Sequence, residues 1–416
     1  HALDVLGARM LRLDANGFLG VEKSAEGLPA WSEGHPLSHA ANHIIAGMVR
    51  KVGGFTFQEL NLTIEDIRDT GAVGADLSYD FIGRPGYQHA LATGQTEFLR
   101  LALTTSLELG VAPVGLVHGL QNHDELTYEL VHWASHFDEK YRFRLREVPG
   151  AQLADEIRAD LADQLTGSVD YNRIFTQNGI ACTSASIIAA TRGFATLDEI
   201  TEADIPAIRD AHLLMCAYNA WQPGVFALSG WDLTGMLTVP ADDVADLVAT
   251  GDTRWIARGA HDLLGVAPDA TRSAAGMPRG RALYGPLPAQ LDDPDSFASR
   301  LSRILEVRRE HGVATASQVD IPDVADPAML VMVHRLDDGD PTVDAPIQVT
   351  VLNFSPEPVE GTVHSAQLVP LADVVSAETG ATIGQVDELL SFEVSLPPYG
   401  ALFLMLTGGV SEGVVR

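Results

Sequence analysis

Apolar and polar residues change their period several times along this chain, and the changes mark out its elements. Met10, Leu11 and Leu13 close a first apolar run, which turns at Asn16-Gly17 into a loop rich in Gly, Pro and Ser up to Pro36. Ile44, Ile45, Met48 and Val49 then recur at helical steps, predicting a helix over 38–52 that Ser38 caps and Gly53-Gly54 ends. Residues 55–60 read as a buried strand, 63–69 as a short helix, 71–79 as a strand, 96–108 as an amphipathic helix and 111–118 as a further strand. Strands alternating with helices predict βαβ units with parallel pairing. Residues 135–200 carry Ala- and Asp-rich helical patches between turn signals and read as a long excursion from the rim of the parallel sheet. A helix is expected over 203–220, a strand over 225–229 after Gln222-Pro223-Gly224, and a helix from a Ser296 or Asp295 cap through Arg309, with Phe297, Leu301, Ile304, Leu305 and Arg308 on its repeat.

After Gly312 the period shortens. Residues 329–334, 347–353, 360–368, 392–396 and 401–406 are short alternating or apolar runs between Pro, Gly and Asp turns, the pattern of an antiparallel β-sandwich. The expected domains are an α/β domain over 1–312 and a β-sandwich domain over 313–416.

Composition narrows the classes of function. The chain has 416 residues, 46% of them hydrophobic, enough for a large core. Its 27 Lys and Arg against 56 Asp and Glu give a net charge of −29, which repels nucleic-acid backbones and anionic membranes, so neither is expected as a partner. A neutral ligand fits more easily than a polyanion. Cys182 and Cys216 are the only cysteines, without Cys-x-x-Cys or paired Cys/His spacing; neither a disulfide framework nor a zinc site is indicated, and a reducing, cytoplasmic setting is expected. No apolar stretch reaches the roughly 18–20 residues that span a bilayer; no signal peptide opens the sequence as given, but His1 is not an initiator residue, so the natural N-terminus, with any signal it carries, is expected upstream.

Candidate chemistry sits where apolar runs end. Arg12-Leu13-Asp14-Ala15, Phe57-Gln58-Glu59-Leu60-Asn61 and Gln121-Asn122-His123-Asp124-Glu125 each place one acid after a run of strand composition. In a parallel sheet that position is the C-terminal rim, where α/β barrels keep their catalytic groups. A single loop Asp is more often a cap, but three acids placed alike suggest one shared site on successive strands. Retaining glycosyl transfer uses one carboxylate as nucleophile and another, roughly 5–5.5 Å away, as acid and then base. A third acid nearby raises the proton affinity of the acid/base and binds sugar hydroxyls.

Leu11–Ala15, Phe57–Glu59 and Asn122–Asp124 resemble the second, third and fourth conserved regions of the α-amylase family of glycoside hydrolases and transglycosylases. The resemblance implies a (β/α)8 TIM barrel, with strands four to eight present here, followed by the β-sandwich. It implies Asp14 as nucleophile, Glu59 as general acid/base, Asp124 as transition-state stabiliser, Arg12 as the group that keeps Asp14 ionised, and His123 as a donor to a sugar hydroxyl. Asn122-His-Asp-Glu-Leu-Thr127, Tyr284-Gly-Pro-Leu-Pro288, the 297–309 helix and the 329–334 strand are similar to the trehalose-synthase branch, implying isomerisation of maltose and trehalose. An α-glucosidase, a sucrose-type isomerase and a non-catalytic carbohydrate-binding homologue are the alternatives. The family's first conserved region, an Asp…Asn-His motif, has no counterpart, and neither do its first three barrel strands; Asn42-His43 lies inside a helix and does not replace it. The missing N-terminal part of the barrel is therefore an expected partner, and oligomeric state is left open. No cofactor is required; Ca2+ is common in the family, with ligands mostly from the part without counterpart here. The loop at 22–37 and the 135–200 excursion are candidates for a lid, although such segments are more often ordinary surface loops; Asp232 is a weaker rim candidate, and Gln121 a departure from the family's pattern.

Overall fold

Parallel strands and helices alternate through the first part of the computed structural model, which describes residues 5–28, 30–31, 34–73, 76–336 and 345–408. Strand β1 (Met10–Leu13) leads to helix α1 (Pro36–Lys51), then β2 (Phe55–Gln58), α2 (Ile64–Val73), β3 (Leu77–Tyr79), α3 (Gly83–Thr93), α4 (Glu97–Glu108) and β4 (Leu116–Gly119). The expected helix over 38–52 starts two residues earlier. His35 rather than Ser38 caps it, its Nδ1 accepting from Leu37 N at 2.9 Å, with Pro36 at the first helical position where a missing N–H costs nothing. The strand expected over 71–79 is shorter, because α2 runs on to Val73; residues 74–75 lie outside the described residues. A 3-10 turn at Pro113–Gly115 replaces the first half of the strand expected over 111–118. Helix α3 has no clear sequence signal, since Gly83, Pro85 and Gly86 crowd its first turn. Gly86 is there because α4 packs against it: a Cβ would lie 2.9 Å from Leu99 Cδ1.

The excursion follows as β5 (Leu126–Thr127), α5 (Val131–Ser135), the hairpin β6 (Lys140–Phe143) and β7 (Arg146–Pro149), α6 (Gly150–Thr166), β8 (Arg173–Thr176), β9 (Gly179–Ala181) and α7 (Ser184–Thr191). It is not a loose flap. Leu153, Ile157, Leu161 and Leu165 of α6 are fully buried in the cluster that also holds Leu99, Tyr87 and Trp221, and β9 returns to pair with β5, directly after Asp124.

Helix α8 (Ile205–Ala220), β10 (Val225–Ala227), α9 (Ala245–Val248), α10 (Leu287–Leu291) and α11 (Phe297–Glu310) complete this part, α11 capped by Ser296 as expected. Five strands form one all-parallel sheet in the order β1-β2-β3-β4-β10. Gly224 feeds β10 at φ 101°, and a Cβ there would meet the carbonyl oxygens of Pro113 and Leu116 at 2.5 Å. Among the described residues β1 and β10 have a neighbour on one side only, so the parallel sheet is open at both edges. Of the apolar repeat Ile44, Ile45, Met48 and Val49, Val49 is buried together with Ala46, whereas Ile44 and Met48 are 60% and 59% exposed.

Strands β11 (Ser317–Asp320), β12 (Met329–Arg335), β13 (Ile347–Asn353), β14 (Val359–His364), β15 (Asp373–Ser376), β16 (Thr382–Gln385), β17 (Ser391–Leu396) and β18 (Ala401–Thr407) are antiparallel, in a six-stranded sheet β11-β12-β13-β18-β15-β16 and a pair β14-β17. β11, β15 and β16 are short and carry little apolar alternation, and the sequence reading passed over them. One face of the large sheet buries Val331, Val349 and Leu404 against Val363 and Phe392 of the pair. The other joins the helical layer, where Phe403 stacks on Trp221 at 3.9 Å and 9°. Among the described residues no helix is long and apolar enough to cross a membrane. Cys182 and Cys216 are buried and free.

His334 lies buried in β12 with Nδ1 2.8 Å from Gln348 Oε1, and burial pushes its imidazole down to about 4. An unfolded histidine titrates near 6.5, so the unfolded chain takes up this proton first. This contribution to stability is complete above pH 6.5 and is lost as pH falls toward 4, by about 3 kcal/mol in all. Urea unfolding at pH 7.5 and pH 5 is expected to show roughly 2 kcal/mol more acid destabilisation in the native protein than in His334→Gln; equal losses would show that His334 does not control it.

Candidate active site

Parallel register brings Asp14 and Glu59 together. Leu13 pairs with Gln58, Glu59 N donates to Leu13 O at 3.1 Å, and the next residue on each strand is an acid at the rim. Arg12, inside β1, joins both: Nη1 is paired with Asp14 Oδ1, and Nη2 lies 2.7 Å from Glu59 Oε2. Ala15 adopts φ 45°, a left-handed conformation unusual for alanine, and its N–H donates to the same Oε2 at 3.2 Å. Glu59 Oε2 is thus committed, and Oε1 has no donor among the described residues. The Arg12 guanidinium, by hydrogen bond first and charge second, holds the Asp14 carboxyl below the usual aspartate range. Asp14 is open to solvent, its side chain 74% exposed.

Asp124 follows β4, two places further along the sheet than Glu59's strand, with β3 between, so the three acids do not stand on successive strands. Asn122 Oδ1 accepts from Asp124 N at 3.0 Å and turns the chain. Gln121 has a defined role: its Nε2 donates to Cys182 O at 2.6 Å, tying the turn to the end of β9. His123 Nε2 lies 3.3 Å from Asp124 Oδ2, and its side chain is 61% exposed.

Two arginines here were missed by the sequence reading. Arg254 Nη1 donates to Asp124 Oδ1 at 2.8 Å, while its Nε binds Asp252 Oδ1 at 2.9 Å and its guanidinium covers the Phe175 ring at 4.3 Å. Arg258 Nη2 donates to His123 O at 3.3 Å. Both lie in a stretch without regular period, and only the Asp252-Thr-Arg254 cap gave a local signal.

Other expectations are corrected. Asp232 does not reach the rim: it is buried, accepts from Ser229 N at 2.9 Å and lies 3.4 Å from His212 Nε2. In the 22–37 loop, Glu22 and Trp31 pair through their backbones, and residues 29, 32 and 33 lie outside the described residues. A cleft of 920 Å3 between α8, α11 and the C-terminal sheet is lined by Asp210, Arg300 and Tyr399, and none of the three acids lines it. The one converging group of three or more His, Cys, Asp or Glu among the described residues is Glu65, His132 and His136. Its two imidazoles do not suit Ca2+, which takes oxygen ligands.

In its parallel sheet and the antiparallel sheet domain after it, the chain is similar in fold to part of α-amylase-type TIM-barrel proteins. Among solved structures it is similar to an α-amylase from Geobacillus thermoleovorans complexed with acarbose, at 14% identity and TM-score 0.52 over 89% of this chain and 58% of that one. It is also similar to trehalose-6-phosphate hydrolase from Bacillus licheniformis, at 13% identity and TM-score 0.55 over 97% and 66%, and to sucrose 6F-phosphate phosphorylase from Thermoanaerobacter thermosaccharolyticum, at 14% and 0.52 over 95% and 60%. The chain spans about three fifths of the length of these proteins. The sequence matches no protein-family model and no curated protein.

Replacing Arg12 by Gln is expected to return the Asp14 carboxyl upward to the ordinary range, about 3.9. A carboxyl-carbon NMR titration reads this directly, and an unmoved Asp14 would remove Arg12 as the cause.

Proposed function

We propose that this chain carries the catalytic acids of a retaining α-glucosyl-transferring enzyme, and that its reaction is isomerisation of maltose to trehalose with minor hydrolysis. The observation that carries the reading is Arg12 bridging Asp14 and Glu59 at the carboxyl ends of adjacent parallel strands. A carboxylate held below its usual range stays ionised and suits a nucleophile. A second carboxyl with one oxygen anchored and the other without a donor suits a proton carrier.

Glu59 Oε1 gives its proton to the glycosidic oxygen of maltose while Asp14 attacks the anomeric carbon, forming the glucosyl-enzyme and free glucose. Asp124, fixed by Arg254, faces the charge that develops on the sugar ring. His123 donates to a hydroxyl of the bound glucose unit. The released glucose turns, Glu59 takes the proton from its anomeric hydroxyl, and that oxygen displaces Asp14. Two inversions leave the α,α-1,1 link. The excess negative charge of the chain suits a neutral disaccharide.

The barrel needs strands from outside residues 1–416. The single-sided edges of β1 and β10 and the exposed Ile44, Met48 and Val52 support that requirement, as an unpaired edge and an apolar helix face are each costly to leave in water. The exposure of Asp14 favours a second reading, α-glucosidase action, because water that reaches the intermediate yields glucose.

The full-length protein incubated with maltose is expected to form trehalose, read by chromatography; glucose without trehalose would support the glucosidase reading. Glu59→Gln is expected to lose about 10²–10⁴-fold in rate, and full activity in that variant would refute the acid/base assignment.

A further inference from the structure

We propose that Glu65, His132 and His136 bind a Zn2+ ion that clips the segment following Asp124 to the segment following Glu59. His132 and His136 stand four residues apart, in α5 and at its C-cap, the spacing that puts two imidazoles on one face of a helical turn. Glu65 lies in the first turn of α2. His132 Nδ1 is 3.2 Å from Glu65 Oε2, His136 Nε2 is 3.3 Å from Glu65 Oε1, and one ligand atom from each residue lies within 4.8 Å of the others. A tetrahedral Zn2+ with bonds of 2.0–2.2 Å keeps its ligand atoms roughly 3.3–3.6 Å apart. Small side-chain adjustments therefore admit the ion.

His136 Nδ1 donates to His132 O at 2.8 Å, which turns Nε2 toward Glu65. His132 Nδ1 lies 3.2 Å from Glu65 Oε2 and 3.5 Å from Ile64 N. Glu65 Oε2 is buried with no hydrogen-bond donor. The three ligand atoms converge on one point, and two imidazoles in their neutral form with one carboxylate select Zn2+ over Ca2+ or Mg2+.

The surroundings suit a fixed site with an entry path. His132 is 6% exposed and its ring is held edge-on to Trp133 at 4.9 Å and 89°. Glu65 and His136 are 31% and 30% exposed, which leaves room for a water as fourth ligand. The two joined segments are already in contact, Asn61 Nδ2 donating to Glu129 Oε2 at 2.8 Å, so the ion would reinforce a link that spaces the Glu59 and Asp124 loops. The site stands independently of the sugar chemistry proposed above.

Untagged full-length protein, stripped with a chelator and dialysed, is titrated with Zn2+ in competition with a chromophoric chelator. One equivalent is expected per chain, with affinity reduced at least tenfold in His136→Ala and in Glu65→Gln. Zn2+ is also expected to raise the thermal midpoint of the native protein by several degrees and to leave that of His136→Ala unchanged. His136 is partly exposed at a helix end, so its variant keeps the fold, which its midpoint without metal verifies. Absence of stoichiometric binding, or equal affinity in His136→Ala, would overturn the site and leave the contacts as ion pairs alone.

Discussion

Guanidinium groups among carboxylates are the constraint on which the rim depends. A chain with 56 acids and 27 bases that brings Asp14, Glu59 and Asp124 to one face of a sheet concentrates like charge where it is already in excess. Arg12 offsets this for the first two acids from inside the strand, and Arg254 for the third from a distant turn. Each guanidinium spends two or more nitrogens, which a lysine's point charge does not reproduce. Arg254 links Asp124, Asp252 and the Phe175 face, so the Asp124 loop is positioned by residues on two other segments.

Below the rim the same logic continues with buried polar groups. Asp80 ends β3 and is fully buried; against burial, which raises a carboxyl, His118 and the Gly83 N–H hold it low. His118 spans from Asp80 at 3.0 Å to Pro223 O at 2.8 Å, linking β3, β4 and the entry to β10. This pair fixes the strands between and beyond those that carry the acids.

Local periodicity carried much of the architecture: α4, α8, α11, β12, β13, β17 and β18 lie within a residue or two of where hydrophobic spacing puts them, while β14 ends four residues earlier than the expected 360–368. The acids were legible because each ends an apolar run, and Arg12 because it shares its strand with Asp14. What escaped depended on contacts distant in sequence. Helix α3 hides behind turn residues that exist for close packing against α4. The 135–200 stretch reads as a flap because α6 shows only modest amphipathicity, yet its leucines are buried once α3 and α7 pack around it. Arg254 and the Glu65–His132–His136 group are invisible for the same reason: His132 and His136 have a readable spacing, but their carboxylate lies on another helix.

Water access and barrel closure are one problem for the proposed chemistry. Asp14 is exposed just after the strand that has no neighbour on one edge among the described residues, and Ile44 and Met48 of the following helix, with Val52 at its C-cap, are exposed in the same stretch of chain. Strands laid beside β1 would pair its open edge, cover those side chains and stand next to the nucleophile. Covering the apolar surface is favourable at about 25 cal/mol per Å2, so the force that closes the barrel also removes solvent from the glucosyl-enzyme. Under the proposed reading, the ratio of isomerisation to hydrolysis would be set less by the acids, whose partners are already in place, than by how completely that edge is sealed.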